Sequence, residues 1–217
     1  MKNKNLAIGL IVFFTLLCFH SSLRAETDNE LKLVFQAGQR DFSKFWPASG
    51  GEAKLDRPIR VYGLDKDAIQ KSADGDDFSR ALIPGNWVIP VEVNGKYKAL
   101  FSVKADNGGY KGFSLQASSE TRFYERLQKL RQIWSDSNGD NFKLISCDDP
   151  KAYFYTVTTI SEPNLTPLTG GFTLNDKMWF IPPENLASPA PAVETIAELK
   201  EFWSKGLRWG PFGGLVS

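Results

Sequence analysis

The residue types best suited to nucleophilic or metal chemistry are scarce in this chain: two cysteines, Cys18 and Cys147, and one histidine, His20. Cys18 and His20 fall in an N-terminal apolar stretch that reads as a removable export signal, so the mature chain keeps only Cys147. Without an imidazole neither a Ser-His-Asp nor a Cys-His site can be assembled, and the usual ligand of zinc, copper and non-haem iron is missing. Asp148 and Asp149 follow Cys147, and their charges raise a thiol pKa instead of lowering it. Cys147 is therefore read as a small buried hydrophobe, with an intermolecular disulfide as the alternative.

Carboxylates offer two further chemistries. Asp136-Ser137-Asn138-Gly139-Asp140-Asn141 places oxygen ligands at positions 1, 3 and 5 of a calcium loop, but position 6 is Asn141 in place of glycine and position 12 falls on Cys147 in place of glutamate. A polar turn between a helix and a strand accounts for the same residues, and Asp74-Gly75-Asp76-Asp77 reads as a solvated acidic loop. No metal and no other cofactor is expected. A histidine-free glycosidase needs one carboxyl as acid and a second about 5–10 Å away, and Glu92 and Glu120 are candidate members of such a pair.

Six tryptophans and 16 phenylalanines supply flat apolar faces that fill a core, stack on sugar rings or anchor an interface. Trp134 and Trp203 lie on helical apolar stripes and are assigned to the core. Trp46, Trp87, Trp179 and Trp209 each adjoin a proline, a glycine or a strand start, and are the candidate ligand or partner contacts.

The composition sets the frame for these candidates. With 217 residues, 26 Lys+Arg against 25 Asp+Glu and a 42% hydrophobic fraction, the chain matches a globular protein and not a disordered, collagen-like or multi-pass membrane one. The near-zero charge balance removes the electrostatic case for nucleic acid as a partner. Lys2 and Lys4, the apolar stretch Leu6 to Phe19 and Ala25 mark residues 1–25 as a signal peptide, whose apolar run falls short of the roughly 20 residues of a membrane span; extension through His20 to Leu23 keeps an uncleaved anchor as the alternative. Cleavage after Ala25 leaves 192 residues, no integral span, and a net charge shifted from +1 to −2 by the loss of Lys2, Lys4 and Arg24. One remaining cysteine means no internal disulfide. The fold must then rest on its core, and an exported bacterial protein, periplasmic or extracellular, is favoured.

Periodicity supplies the elements. Thr27 to Phe45 reads as one broken helix or two short ones interrupted at Gly38, and Pro58 to Tyr62 alternates like a strand. Trp87 to Val93, Asn94-Gly95 and Lys96 to Lys104 form a β-hairpin whose turn residues suit type I′, with Pro90 pointing to an edge strand or a bulge. A turn at Asp106 to Gly109 and a strand from Tyr110 to Ala117 complete a meander. Ser118 and Ser119 can cap a helix over Ser119 to Ser135, in which Phe123, Leu127, Leu130 and Trp134 form an apolar stripe. Phe142 to Ser146 and Ala152 to Thr159 read as two more strands, and Phe172 to Leu174 and Met178 to Ile181 as short ones. After a proline-rich connector, Ile196, Leu199, Phe202 and Trp203 line one face of a last helix.

The expected class is α+β: an antiparallel sheet of about five to six strands packed against one main amphipathic helix, with flanking N- and C-terminal helices. Residues 26–191 form the single domain, and 192–217, the C-terminal helix and Gly-rich tail, dock on it. The functional expectation is an exported, non-catalytic binding or accessory protein. It acts through an edge strand, a groove beside the sheet, or the last helix on a protein partner. The alternative is a carbohydrate-binding or carbohydrate-active protein that uses aromatic platforms and a carboxylate pair on a glycan.

Overall fold

The computed structural model describes residues 28–47, 51–72, 78–117, 121–137, 139–174, 177–206, 208–209 and 215–216. The expected signal peptide 1–25, Asp74 to Asp77, the expected caps Ser118 and Ser119, Glu120 and the glycines of the tail lie outside the described residues.

Helix α1 covers 28–42 without a break at Gly38. The expected interruption is absent because Gly38 serves the packing: a Cβ there would lie 2.3 Å from Ile89 Cδ1, so the missing side chain lets the helix settle onto the sheet. Strands β1 (Lys54–Leu55) and β2 (Ile59–Leu64) follow, then α2 (Lys66–Lys71), whose N-cap Asp65 accepts from Ala68 N at 3.0 Å. A 3-10 turn at Phe78–Ala81 leads into the meander β3 (Leu82–Val93), β4 (Lys96–Asp106) and β5 (Gly109–Gln116). Asn94 and Gly95 both adopt positive φ, 51° and 76°, as a type I′ turn requires.

Helix α3 (Thr121–Trp134) carries the expected stripe and runs into the small hairpin β6 (Ser135–Asp136) and β7 (Gly139–Asp140). Then come β8 (Phe142–Cys147), β9 (Ala152–Val157), β10 (Thr166–Pro167), the hairpin β11 (Phe172–Leu174) and β12 (Lys177–Trp179), and α4 (Ala192–Ser204). A two-stranded ribbon, β13 (Arg208–Trp209) with β14 (Leu215–Val216), closes the described chain.

The main sheet is larger than expected and mixed. Eight strands take the order β10-β9-β8-β2-β3-β4-β5, with β1 also pairing to β3. The β2–β8 pairing is parallel and joins the meander to the β8–β9 hairpin. β1 and β10 are two residues each, too short to leave an alternating pattern. β3 is interior, so Pro90 does not mark an edge, but the β3–β4 register shifts between Val91 and Glu92, so the expected alternative of a bulge falls next to it. The Pro90 carbonyl accepts from Asp56 N at 2.9 Å, and its nitrogen points to the same side, into the gap between β1 and β2 where no ladder bond is needed.

Alternation along the strands sends side chains to three apolar clusters, each with its own helix. On one face, Val88, Leu100, Leu144 and Tyr155 pack with Leu127 and Leu130 of α3. On the other face, Trp87, Ile89, Phe101 and Val103 pack with Val34 and Ala37 of α1. On that same second face, toward the other edge of the sheet, Ile145 and Phe154 pack with Ile69 of α2 and Leu199, Phe202 and Trp203 of α4. The apolar stripe of α4 is thus filled by the chain's own sheet. Among the described residues no helix is long and apolar enough to cross a membrane.

Candidate functional site

Between the α1 cluster and the α4 cluster, no described helix covers the second face of the sheet at the Arg60–Lys143 end of the β2–β8 pair, whereas Tyr62 of β2 and Ile145 of β8 pack onto the α4 cluster. The strand sequences there explain the gap. In β2, Ile59 and Val61 enter the α3 cluster while Arg60 and Tyr62 point the other way. In β8, Phe142 and Leu144 go to α3 and Lys143 to the open side; in β9, Tyr155 and Val157 go to α3 and Thr156 opposes them. Register aligns these groups into a row. Arg60 pairs with Trp87, Lys143 pairs with Thr156, and Val61 opposite Leu144 brings Arg60 beside Lys143. A groove of about 220 Å³ runs over the Trp87, Arg60 and Lys143 part of this row, bounded by Leu31 of α1 and by Arg57, Asp140 and Thr158, while Thr156 is buried beside it. A second hollow of about 410 Å³ adjoins it, sharing Leu31, Arg57 and Pro58.

A buried ionic network holds one end of the groove. The Arg131 side chain, 10% exposed, donates from Nε and Nη2 to the two Asp140 oxygens at 3.2 and 2.7 Å, from Nη1 to Asp56 Oδ2 at 2.9 Å, and from Nη2 to the Arg57 carbonyl at 2.9 Å. Arg57 Nη2 returns to Asp140 Oδ1 at 2.6 Å, the Ser135 hydroxyl donates to the same oxygen at 2.5 Å, and the Tyr97 hydroxyl donates to Asp56. Burial alone would raise the Asp140 carboxyl, but the hydrogen bonds and charge of Arg131, with Ser135 and Arg57, hold it below the usual carboxylate value. Asp56 stands the same way: burial raises it, Arg131 and the Tyr97 hydroxyl outweigh burial, and its carboxyl is held low. Both acids are ionised at neutral pH and fully engaged.

The open side of the groove is cationic. Arg60 Nη1 donates to Glu30 of α1 at 2.8 Å, Glu30 also accepts from the Tyr110 hydroxyl at 2.7 Å, and the Arg60 guanidinium covers the Trp87 ring at 5.1 Å. Lys143 lies over the Tyr62 ring at 5.2 Å and forms no ion pair among the described residues. Two buried N–H groups, Arg60 Nε and Trp87 Nε1, have no hydrogen-bond partner.

The four tryptophans singled out from sequence do not converge. Trp87, 6% exposed, is the one that borders the groove. Trp46 stacks on Phe42 at 5.4 Å and donates to the Gly51 carbonyl at 3.0 Å. Trp179 is 1% exposed, wedged against Phe180 and Phe202. Trp209 lies in β13, and its side chain is outside the described residues. The calcium-like loop is an internally bonded turn: Asp136 accepts from Gly139 N and from Asn141 Nδ2, each at 3.1 Å, and Asp140 belongs to the Arg131 network. Among the described residues no group of three or more His, Cys, Asp or Glu is placed to hold a metal. Glu92 pairs in register with Lys54 and Tyr97 on β3, while its proposed companion Glu120 lies outside the described residues. Cys147 is buried in the α4 cluster, where burial pushes its thiol up to about 11 and its Sγ donates to the Asp149 carbonyl.

Arg57, Arg60, Tyr62 and Lys143 are absent from the sequence-derived candidates. Their signal was the alternation itself: Ile59-Arg60-Val61-Tyr62 and Phe142-Lys143-Leu144 each put polar groups on one face of a strand. Comparison of the chain with known protein families, with curated proteins and with solved structures finds no match.

Proposed function

We propose that the protein is an exported, non-catalytic binding protein that takes a small ligand, or the end of a larger one, in the groove over the β2–β8 pair. The observation that carries this reading is the row Trp87, Arg60, Lys143: polar and cationic groups at the centre of a sheet, where a closed fold places Val, Ile or Leu. Concave sites with a few convergent polar groups are the ordinary form of small-ligand sites. Export rests on the sequence of residues 1–25.

A binding role is favoured over catalysis by the state of the nearby acids. Asp56 and Asp140 are ion-paired and held ionised, so neither retains the proton that a general acid must donate. The carbohydrate alternative draws less support from the groove, because the Tyr62 and Trp87 rings are already covered by Lys143 and Arg60 and leave no bare platform for a sugar.

A fragment screen read by backbone amide shifts tests the reading without presupposing the ligand. Hits should perturb residues 57–62 and 139–143 together. Hits confined to other surfaces, or none at those amides, overturn it.

A further inference from the structure

We infer that the groove recognises an organic anion, through a carboxylate or phosphate that displaces Glu30 from Arg60. This rests on the binding reading above and names its ligand class. The charge count on the groove is lopsided. Arg57, Arg60 and Lys143 bring three cations to it against two acids: Asp140, which spends one oxygen on Arg57, Arg131 and Ser135 and the other on Arg131, and Glu30, which pairs with Arg60. The hydrogen-bonding capacity is equally one-sided. Lys143 offers an ammonium that is not ion-paired among the described residues, and Arg60 Nε and Trp87 Nε1 are donors without acceptors. A site that supplies donors requires a ligand that supplies acceptors, and fixed positive charge selects acceptors that are negative.

The chain also holds a carboxylate at this place already. Glu30 reaches down from α1 to Arg60 at 2.8 Å, steadied by the Tyr110 hydroxyl. The Arg60 and Glu30 side chains are 29% and 31% exposed, so their ion pair is screened and weak enough to exchange with a ligand. A ligand held by Arg60 and Lys143 together engages two cations where Glu30 engages one. Since the mature chain is net −2, this focus of positive charge is local and not a consequence of a basic surface.

Calorimetry on the purified full chain tests the inference with five probes: citrate and trigalacturonate for carboxylates, inorganic phosphate and glycerol 3-phosphate for phosphates, and maltotriose as a neutral control. One anionic class should bind saturably, and its better probe identifies the head group. Lys143→Met should weaken that binding about tenfold, the size of one lost charge-assisted contact, and Lys143→Arg should restore most of it. Glu30→Gln, which keeps the hydrogen bond to Tyr110 but removes the competing charge, should tighten it several-fold. Thermal melts of each variant within a few degrees of wild type confirm that the fold is kept. An unchanged or weaker affinity in Glu30→Gln, or anion binding that ignores Lys143, overturns the inference. Maltotriose binding that shifts the amides of 57–62 while no anion does so overturns the anion class but leaves the binding reading standing. If neither anion nor maltotriose shifts those amides, and the fragment screen finds nothing there, both fall.

Discussion

Arg131→Met is the sharpest test of how this fold is held together, because it removes one cation from the mostly buried Asp140 and the partly exposed Asp56 while keeping the apolar stem of the side chain. Arg131 makes four hydrogen bonds of 2.7–3.2 Å to Asp140, Asp56 and the Arg57 carbonyl, and it couples α3 to β7 and to the chain just before β2. Breaking a buried ion pair from one side costs about 3–5 kcal/mol where the partner charge is stranded, against about 0–1 kcal/mol for an exposed pair; Asp140 keeps Arg57 and Asp56 is partly exposed, so a loss of about 2–4 kcal/mol is expected. For a chain of this length that is a fall in Tm of about 4–16 °C. The pH dependence carries a sign that mere loss of packing lacks. In the wild type, Asp140 and Asp56 have folded pKa values below their unfolded ones, so their contribution is complete above the unfolded carboxylate range and is lost as pH falls through the folded values. In the variant, Asp140 keeps Arg57 and Ser135 and Asp56 keeps the Tyr97 hydroxyl, so both carboxyls are held down less than in wild type and less stability is lost as acid protonates them. The stability gap, measured by urea unfolding from about pH 7 to about pH 2, should therefore hold down to the unfolded carboxylate range and narrow below it. A gap at pH 7 below about 1 kcal/mol, or one independent of pH, refutes the reasoning.

Two further outcomes are expected. Phe202→Ala should lower stability by about 3–5 kcal/mol in chemical denaturation, since the Phe202 ring is fully buried against Trp179 and Phe180; a near-neutral effect would return α4 to the role of a free arm. Cys147 should resist thiol reagents at neutral pH in the native protein and label at the rate of unfolding, because its thiol is buried and pushed up to about 11; rapid labelling, or a dimer mass that falls with reductant, contradicts this.

Local signals carried most of the elements. The Asn94-Gly95 turn needs two positive φ angles that few residues tolerate, so the hairpin it joins could be placed from four residues of sequence. The stripes of α3 and α4 repeat at helical spacing, and each faces a cluster of strand side chains. What escaped were long-range facts. Nothing near Ile59 says that β2 will lie beside β8, more than 80 residues away, and that parallel pairing is what turns an expected antiparallel sheet into a mixed one. Gly38 carries the same residue type as a helix breaker, and only the position of Ile89 across the interface makes it a packing residue. The flanks of Trp179 resemble those of a rim residue, yet α4 arrives from downstream to cover it. Arg60 and Lys143 are unremarkable in their own strands and become a site through register alone.

That register also accounts for where the groove lies. The sheet is assembled from two antiparallel halves, and each half brings its own cover to the second face: α1 over β3 and β4, α2 and α4 over β8 and β9. The start of the β2–β8 pair lies between these covers, so a helix reaching over it would have to bury Arg60 and Lys143 against an apolar stripe, at the cost of stripping charges of water without partners. The polar row and the missing cover thus require each other. Substituting Arg60 and Lys143 by leucine would remove the reason for the opening and leave a bare apolar strip in its place, more prone to self-association than to ligand binding. Arg131 completes the arrangement from behind: with Arg57 it takes up Asp140, and it also holds Asp56, so Glu30 on α1 is the acid paired with Arg60, and Lys143 has no ion pair among the described residues.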